Sequence, residues 1–208
     1  MRLTDSMNIA FLASHNGSNM QTIIDACKSG ALAATPAVVI SNNSDSGAML
    51  RAHQDGIPCY HLSSKTHPAP GDLDQAILEV LQRHQVDLIV LAGYMKKLGP
   101  RALARFAGAT LNIHPSLLPR HGGQGMYGMY VHTAVLAAGE TESGATVHVV
   151  DANYDTGAII AQMRVPVLSD DTPETLATRV LKAEHTLFPQ VLQGIVRGQI
   201  RLPGFIRQ

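Results

Sequence analysis

The sequence predicts an α/β protein: an open, mostly parallel, doubly wound sheet with a C-terminal antiparallel hairpin and a long last helix. Three observations carry this. Strand-like and helix-like stretches alternate strictly from Asn8 to Asn112. The strand-like runs are almost continuously apolar, the pattern of parallel strands covered on both faces. After Gly144, two β-rich runs stand close enough for a hairpin, and a well-capped helix follows.

The elements follow in order. Asn8–Ala13 reads as a buried strand and Ser14–Asn19 as a turn. Met20, Ile23, Ile24 and Cys27 give helical spacing up to Lys28, with Gly30 as the stop. Ala37–Ile40 is a second strand, and Gly47–Gln54 a helix closed by Gly56. Cys59–Leu62 is a short strand, and Ser63–Gly71, with two prolines, a loop. Leu73, Ile77, Val80 and Leu81 mark an amphipathic helix over Asp72–His84. Asp87–Ala92 is a strongly apolar strand, Pro100–Phe106 a helix opened by proline, and Ala109–Asn112 the next strand. Val131–Ala138 is helical; Ala145–Val150 and Ile159–Val167 are the hairpin strands. Asp171 or Thr172 caps the last helix, with Pro173 at its first position.

The 208 residues suit one domain over 7–208, preceded by a flexible polar tail at 1–6. Sixteen basic and sixteen acidic residues cancel, which argues against nucleic acid or an anionic membrane as partner. No stretch reads as a leader or membrane span, so a cytoplasmic protein is expected. Cys27 and Cys59 show no paired spacing and read as buried free thiols. Ten histidines invite a metal, but no ligand spacing supports one, and none is expected.

Chemistry concentrates at the ends of strands, where open α/β sheets bind ligands. Asn112 and His114, two residues apart, share a strand face and precede the Pro115–Pro119 loop. An amide donor and an imidazole there suit a developing oxyanion and a proton transfer. A capped strand end with a satisfied histidine is the plainer alternative. In the first turn, Gly17 permits close backbone approach at a helix N-terminus, and Ser18 and Asn19 add donors. That suits a phosphate, although neither a dinucleotide fingerprint nor a P-loop is present. Leu91–Leu98 leaves another strand end. Asp151–Gly157 is a turn in which Asp155 is the carboxylate best placed to raise the pKa of His114 and hold it charged or correctly oriented, while Asp151 shapes the turn. Gly122–Tyr130 reads as a mobile loop bordering the site.

Three stretches in this order resemble the folate-dependent phosphoribosylglycinamide formyltransferases of purine synthesis. They are Asn16–Asn19, Asn112–Pro119, and Val147–Asp151 running on to Asp155. The similarity extends from about Met7 to about Leu202. It implies a Rossmann-like formyltransferase fold, 10-formyltetrahydrofolate as co-substrate and the amine of glycinamide ribonucleotide as acceptor. It implies Asn112, His114 and Asp155 as the catalytic set. Gly17, Ser18 and Asn19 would hold the acceptor phosphate, with Leu181, Lys182, Ala183 and Glu184 facing the acceptor and Glu184 accepting from its ribose hydroxyls. Met95, Lys96, Lys97, Leu98, Asn112, Asp151, Ala152, Asn153, Tyr154 and Asp155 would form the folate site. Small molecules are then the partners, and monomer and homodimer both stay open.

The chain departs from the family pattern in places. His15 stands at a usual Gly, Lys96 at a frequent Arg and Ala158 at a common Pro. The Ser63–Gly71 loop lacks an Arg that many members direct at the folate tail, leaving Lys65 as a weak substitute. Related readings are a formyltetrahydrofolate hydrolase, a methionyl-tRNA formyltransferase and a sugar-amine formyltransferase. The first two usually carry an extra domain, for which this length leaves no room. A non-catalytic folate or nucleotide binder would not need Asn112, His114 and Asp155 together.

Overall fold

A computed structural model describes residues 6–203; most of the expected tail, and the last residues of the expected domain, lie outside the described residues. Seven strands form one sheet: β1 (Met7–Leu12), β2 (Ala34–Ser41), β3 (Cys59–His61), β4 (Leu88–Leu91), β5 (Thr110–His114), β6 (Glu142–Val149) and β7 (Ile159–Pro166). Six helices connect or follow them: α1 (Ser18–Lys28), α2 (Gly47–Gln54), α3 (Asp72–Arg83), α4 (Pro100–Arg105), α5 (Met129–Ala137) and α6 (Pro173–Val196). The strand order is β3-β2-β1-β4-β5-β6-β7. The first five strands pair in parallel, whereas β6 and β7 are antiparallel additions.

Burial explains the pattern. All four residues of β4 and all but one of β1 are buried, so both faces of the sheet's centre are covered. By contrast, β7 lies at an edge and exposes much of its length. The long helix α6 packs on β6, β7, α1 and α5, while α3 packs on α4. Leu176, Val180, Leu187 and Val191 supply its buried stripe. Thr172 caps it, its hydroxyl accepting from Thr175, with Pro173 at the first helical position.

The departures from the sequence reading are local. Strand β2 starts three residues earlier than Ala37 and runs through Pro36, with Ala37 as the extra residue where the register shifts between Ile9–Pro36 and Ala10–Val38. Strand β5 continues through Asn112 to His114, since both residues pair with β6. The cysteines are free but only half-buried: Cys59 is on an edge strand and Cys27 in the last turn of α1.

The chain runs from β1 outward to β3, then crosses to β4 and continues outward on the other side. The reversal leaves a crevice at the carboxyl ends of β1 and β4. Here Ser14 N–H donates to the Gly93 carbonyl at 3.0 Å, and the Ser14 hydroxyl accepts from Met95 N–H at 2.8 Å while donating to Asn42 Oδ1 at 2.5 Å. Farther along, buried Asp74 of α3 caps α4, accepting from the Arg101 and Ala102 amides at 2.8 and 3.0 Å. A Cβ at Gly99 would collide with that carboxylate. Asp74 thereby fixes the end of the loop that leaves β4. Asp74→Ala should lower the free energy of unfolding by about 1–2 kcal/mol in urea titrations.

Candidate active site

Two substructures flank the crevice. The first is the turn between β1 and α1. Gly17 occupies the N-cap position with φ 72°, no side chain caps the helix, and its first turn holds no acidic residue. The amides at the start of α1 are therefore left for an anion. The helix α2 buttresses the turn. Its Ala48 N–H donates to the His15 carbonyl at 3.0 Å, and Arg51 donates to the Asn16 carbonyl at 2.9 Å and to Asn16 Oδ1 at 3.2 Å. A Cβ on Gly17 would lie 2.9 Å from that of Ala48, so this backbone approach needs glycine. Asn19 Nδ2 donates to Glu184 Oε2 at 2.6 Å, and Asn19 Oδ1 is buried without a protein partner. Burial pushes the Glu184 carboxyl up to about 7 against the opposing bond from Asn19.

The second substructure is a cleft of about 260 Å³ between the loop after β4 and the turn after β6. Leu91, Tyr94, Leu98, Pro100, Leu103 and Val150 give it apolar walls; Lys96, Lys97, Asn112, His148 and Asp151–Asp155 supply its polar groups. Lys97 bridges the two sides: its ammonium donates to the Ala152 carbonyl at 3.0 Å and lies 4.5 Å from the centre of the Tyr154 ring. Asp151 shapes the turn, accepting from Asn153 N–H at 2.9 Å and from the Thr156 hydroxyl.

At the inner end of the cleft, antiparallel pairing sets Asn112 opposite His148 and His114 opposite Thr146. His148 Nδ1 donates to the Val149 carbonyl at 2.9 Å, which leaves its Nε2 3.1 Å from Asn112 Nδ2. His114 Nε2 donates to the His121 carbonyl at 2.8 Å. The remaining nitrogens, His114 Nδ1 and His148 Nε2, each lie 3.5 Å from a different oxygen of Asp155. Gly123 N–H donates to the same carboxylate at 2.9 Å. Asp155 and His121 both take left-handed backbone angles, φ 58° and 53°, an uncommon conformation outside glycine.

Burial raises the Asp155 carboxyl, but the two imidazoles and the Gly123 amide outweigh it and hold the group below its usual value. For His114 the balance goes the other way. Burial lowers its pKa more than Asp155 and the His121 carbonyl raise it, so the resting imidazole is neutral rather than held charged, the first of the two effects the sequence reading allowed.

Residues 7–192 match the family model described as formyl transferase. The chain belongs to that family. Among its relatives is the phosphoribosylglycinamide formyltransferase of Haemophilus influenzae, 44% identical over 194 residues that cover 93% of this chain and 89% of the relative. The fold matches glycinamide ribonucleotide transformylase 1 from Symbiobacterium toebii with a TM-score of 0.88 at 37% identity, covering 96% and 92% of the two chains. A phosphoribosylglycinamide formyltransferase from Coxiella burnetii gives a TM-score of 0.88 at 38% identity, covering 97% and 92%.

Within this formyl transferase fold, Asn112, His114 and Asp155 converge, and Gly17, Ser18 and Asn19 form one turn. Three other expectations meet a different geometry. Met95 engages the site through its backbone, and its 38% exposed side chain does not line the cleft. Leu181 and Lys182 are exposed, while Ala183 and Glu184 turn inward, because four successive helical residues span most of a turn. His114 stands behind Asp155 rather than on the cleft wall, where the imidazole is that of His148. Sequence alone assigns no role to Arg51, in an ordinary helix, or to His148, which falls within the Val147–Asp151 stretch but in an apolar strand. Only the β5–β6 register and the packing of α2 on the first turn give them partners.

The depressed His114 and His132 pKa values make stability pH-dependent. Below the ordinary value of 6.5 the unfolded chain binds protons that the buried imidazoles refuse. Unfolding free energy should therefore fall as pH drops below 6.5, and urea titrations of His114→Gln at pH 5.5 and 7.5 should show a flatter dependence than the parent.

Proposed function

We propose that the chain transfers a formyl group from 10-formyltetrahydrofolate to the amine of 5′-phosphoribosylglycinamide, the third step of de novo purine biosynthesis. The observation that carries this reading is the pairing of an uncapped helix N-terminus with a cleft that ends on Asn112 and Asp155, the two joined through Ser14. A phosphate on the first would aim the acceptor's amine at a formyl group carried into the second. The names of the relatives support the same assignment. A hydrolase using water would have no need for the anion-receptive turn.

In this reading the folate ring lies between Lys96–Leu98 and Asp151–Asp155, against Leu91, Leu103 and Val150. The acceptor phosphate sits on Gly17, Ser18 and Asn19, and Glu184 faces its ribose. The amine attacks the formyl carbon, and the carbonyl oxygen becomes an oxyanion. Asn112, one amide hydrogen committed to His148 Nε2, donates the other to that oxyanion. Asp155 takes the amine proton through water and passes it to His114 Nδ1, whose neutral resting state makes it a base. The proton then returns from His114 Nδ1 through Asp155 and the water to the folate nitrogen as the carbon–nitrogen bond breaks. The reading calls for no metal. We read residues 7–208 as one catalytic unit, acting in the cytoplasm as a monomer or homodimer on small-molecule substrates. Among the described residues no helix is long and apolar enough to cross a membrane.

A formyl-transfer assay with glycinamide ribonucleotide and a water-only control tests the assignment; formylated acceptor should form, and folate hydrolysis without acceptor should be negligible. Asn112→Ala should lower turnover about 10²–10³-fold, and His114→Ala should still bind folate while losing most turnover. Asn19→Ala should raise the acceptor KM more than it lowers kcat, measured by steady-state kinetics; an unchanged KM would move the phosphate elsewhere.

A further inference from the structure

The loop that follows β5 is gripped by side chains outside the catalytic group. Along one row of the sheet, His114 of β5 faces Thr146 of β6, and Thr146 faces Gln162 of β7. The Thr146 hydroxyl, fully buried, donates to the Ser116 carbonyl at 2.6 Å and accepts from Leu118 N–H at 3.1 Å. Gln162 Nε2 donates to the Leu118 carbonyl and to Thr146 Oγ1, both at 2.9 Å. Within the loop, the Ser116 hydroxyl donates to the Arg120 carbonyl at 2.7 Å. The next carbonyl, that of His121, accepts from His114 Nε2.

A glutamine on an edge strand could satisfy its amide with water. This one spends both amide hydrogens on a single loop and its anchor. We propose that Gln162 is a positioning residue for formyl transfer: by pinning residues 116–118 directly and through Thr146, it sets where the His121 carbonyl sits. That keeps the His114 proton on Nε2 and turns the Nδ1 lone pair toward Asp155. The role in turnover rests on the reaction assigned above; the control of His114 geometry does not. The ionisable groups facing His114 are Asp155 from the turn after β6, His148 from β6, His121 from the loop and His132 from α5.

The test uses Gln162→Met, which keeps length and removes the donors, with Thr146→Val and the conservative Thr146→Ser. Nitrogen-15 NMR of the imidazoles reads the His114 tautomer and titration whether or not the protein turns over. The parent should show the Nε2–H form. Gln162→Met and Thr146→Val should show mixed tautomers and a lower His114 pKa, because the His121 carbonyl no longer supports the proton. In those variants kcat should fall about ten- to a hundredfold, with KM for both substrates nearly unchanged; Thr146→Ser should recover the parent tautomer and rate. Variants that lose only thermal stability, keeping tautomer, titration and kcat, overturn the proposal. A parent that shows the tautomer control but transfers no formyl group overturns the reaction assignment and the role in turnover, while the geometric control stands.

Discussion

The site depends on one carboxylate kept ionised while largely withdrawn from water. A charge so placed must be met by donors. Asp155 accepts from the amide of Gly123 in the glycine-rich loop, and the imidazoles of His114 on β5 and His148 on β6 each stand 3.5 Å from one of its oxygens. Much of the surrounding backbone serves that meeting. The turn after β6 doubles back because Asp151 organises it, and because Gly157, without a Cβ, can lie against the Val149 carbonyl. Asp155 tolerates a left-handed backbone, and Gly122 leaves space for its Cβ, 3.3 Å from where a side chain would begin. Loss of any one segment would leave the ion short of a partner.

That arrangement separates the two imidazoles chemically. Both are buried and both turn one ring nitrogen toward Asp155, and each gives the N–H of its other nitrogen to a different backbone carbonyl. Those carbonyls, rather than the carboxylate, decide which nitrogen holds the proton at rest. His148 thus orients the Asn112 amide, and His114 keeps a free lone pair. The lowered pKa of His114 fits the proton-accepting part proposed for it.

Much of this was legible in the sequence. Alternating apolar strands and helices gave the parallel sheet, and Thr172-Pro173 marked the start of the last helix. The two-residue spacing of Asn112 and His114 put both on one strand face, and an aspartate in the hairpin turn was a natural partner. What stayed hidden depends on strand register and burial. His148 lies in a run of apolar residues and becomes meaningful only when it pairs with Asn112. Gln162 resembles any polar residue on an exposed strand until its amide is traced to Leu118 and Thr146. The charge state of His114 was not legible in the sequence for a related reason. An acidic neighbour can be inferred from a motif, but the desolvation that outweighs it comes from packing that no local pattern records.

The Ser14 hydroxyl has a consequence for the history of the chain. It holds the loop leaving β4 and an asparagine after β2 while sitting in the turn proposed to hold the phosphate. The pockets proposed for the two substrates therefore share a fastening, and neither can drift alone. A substitution that reshapes the donor pocket must also suit the acceptor pocket, so lineages that adopt a new acceptor would be expected to carry changes at residues 93–98 in step with changes at 14–19.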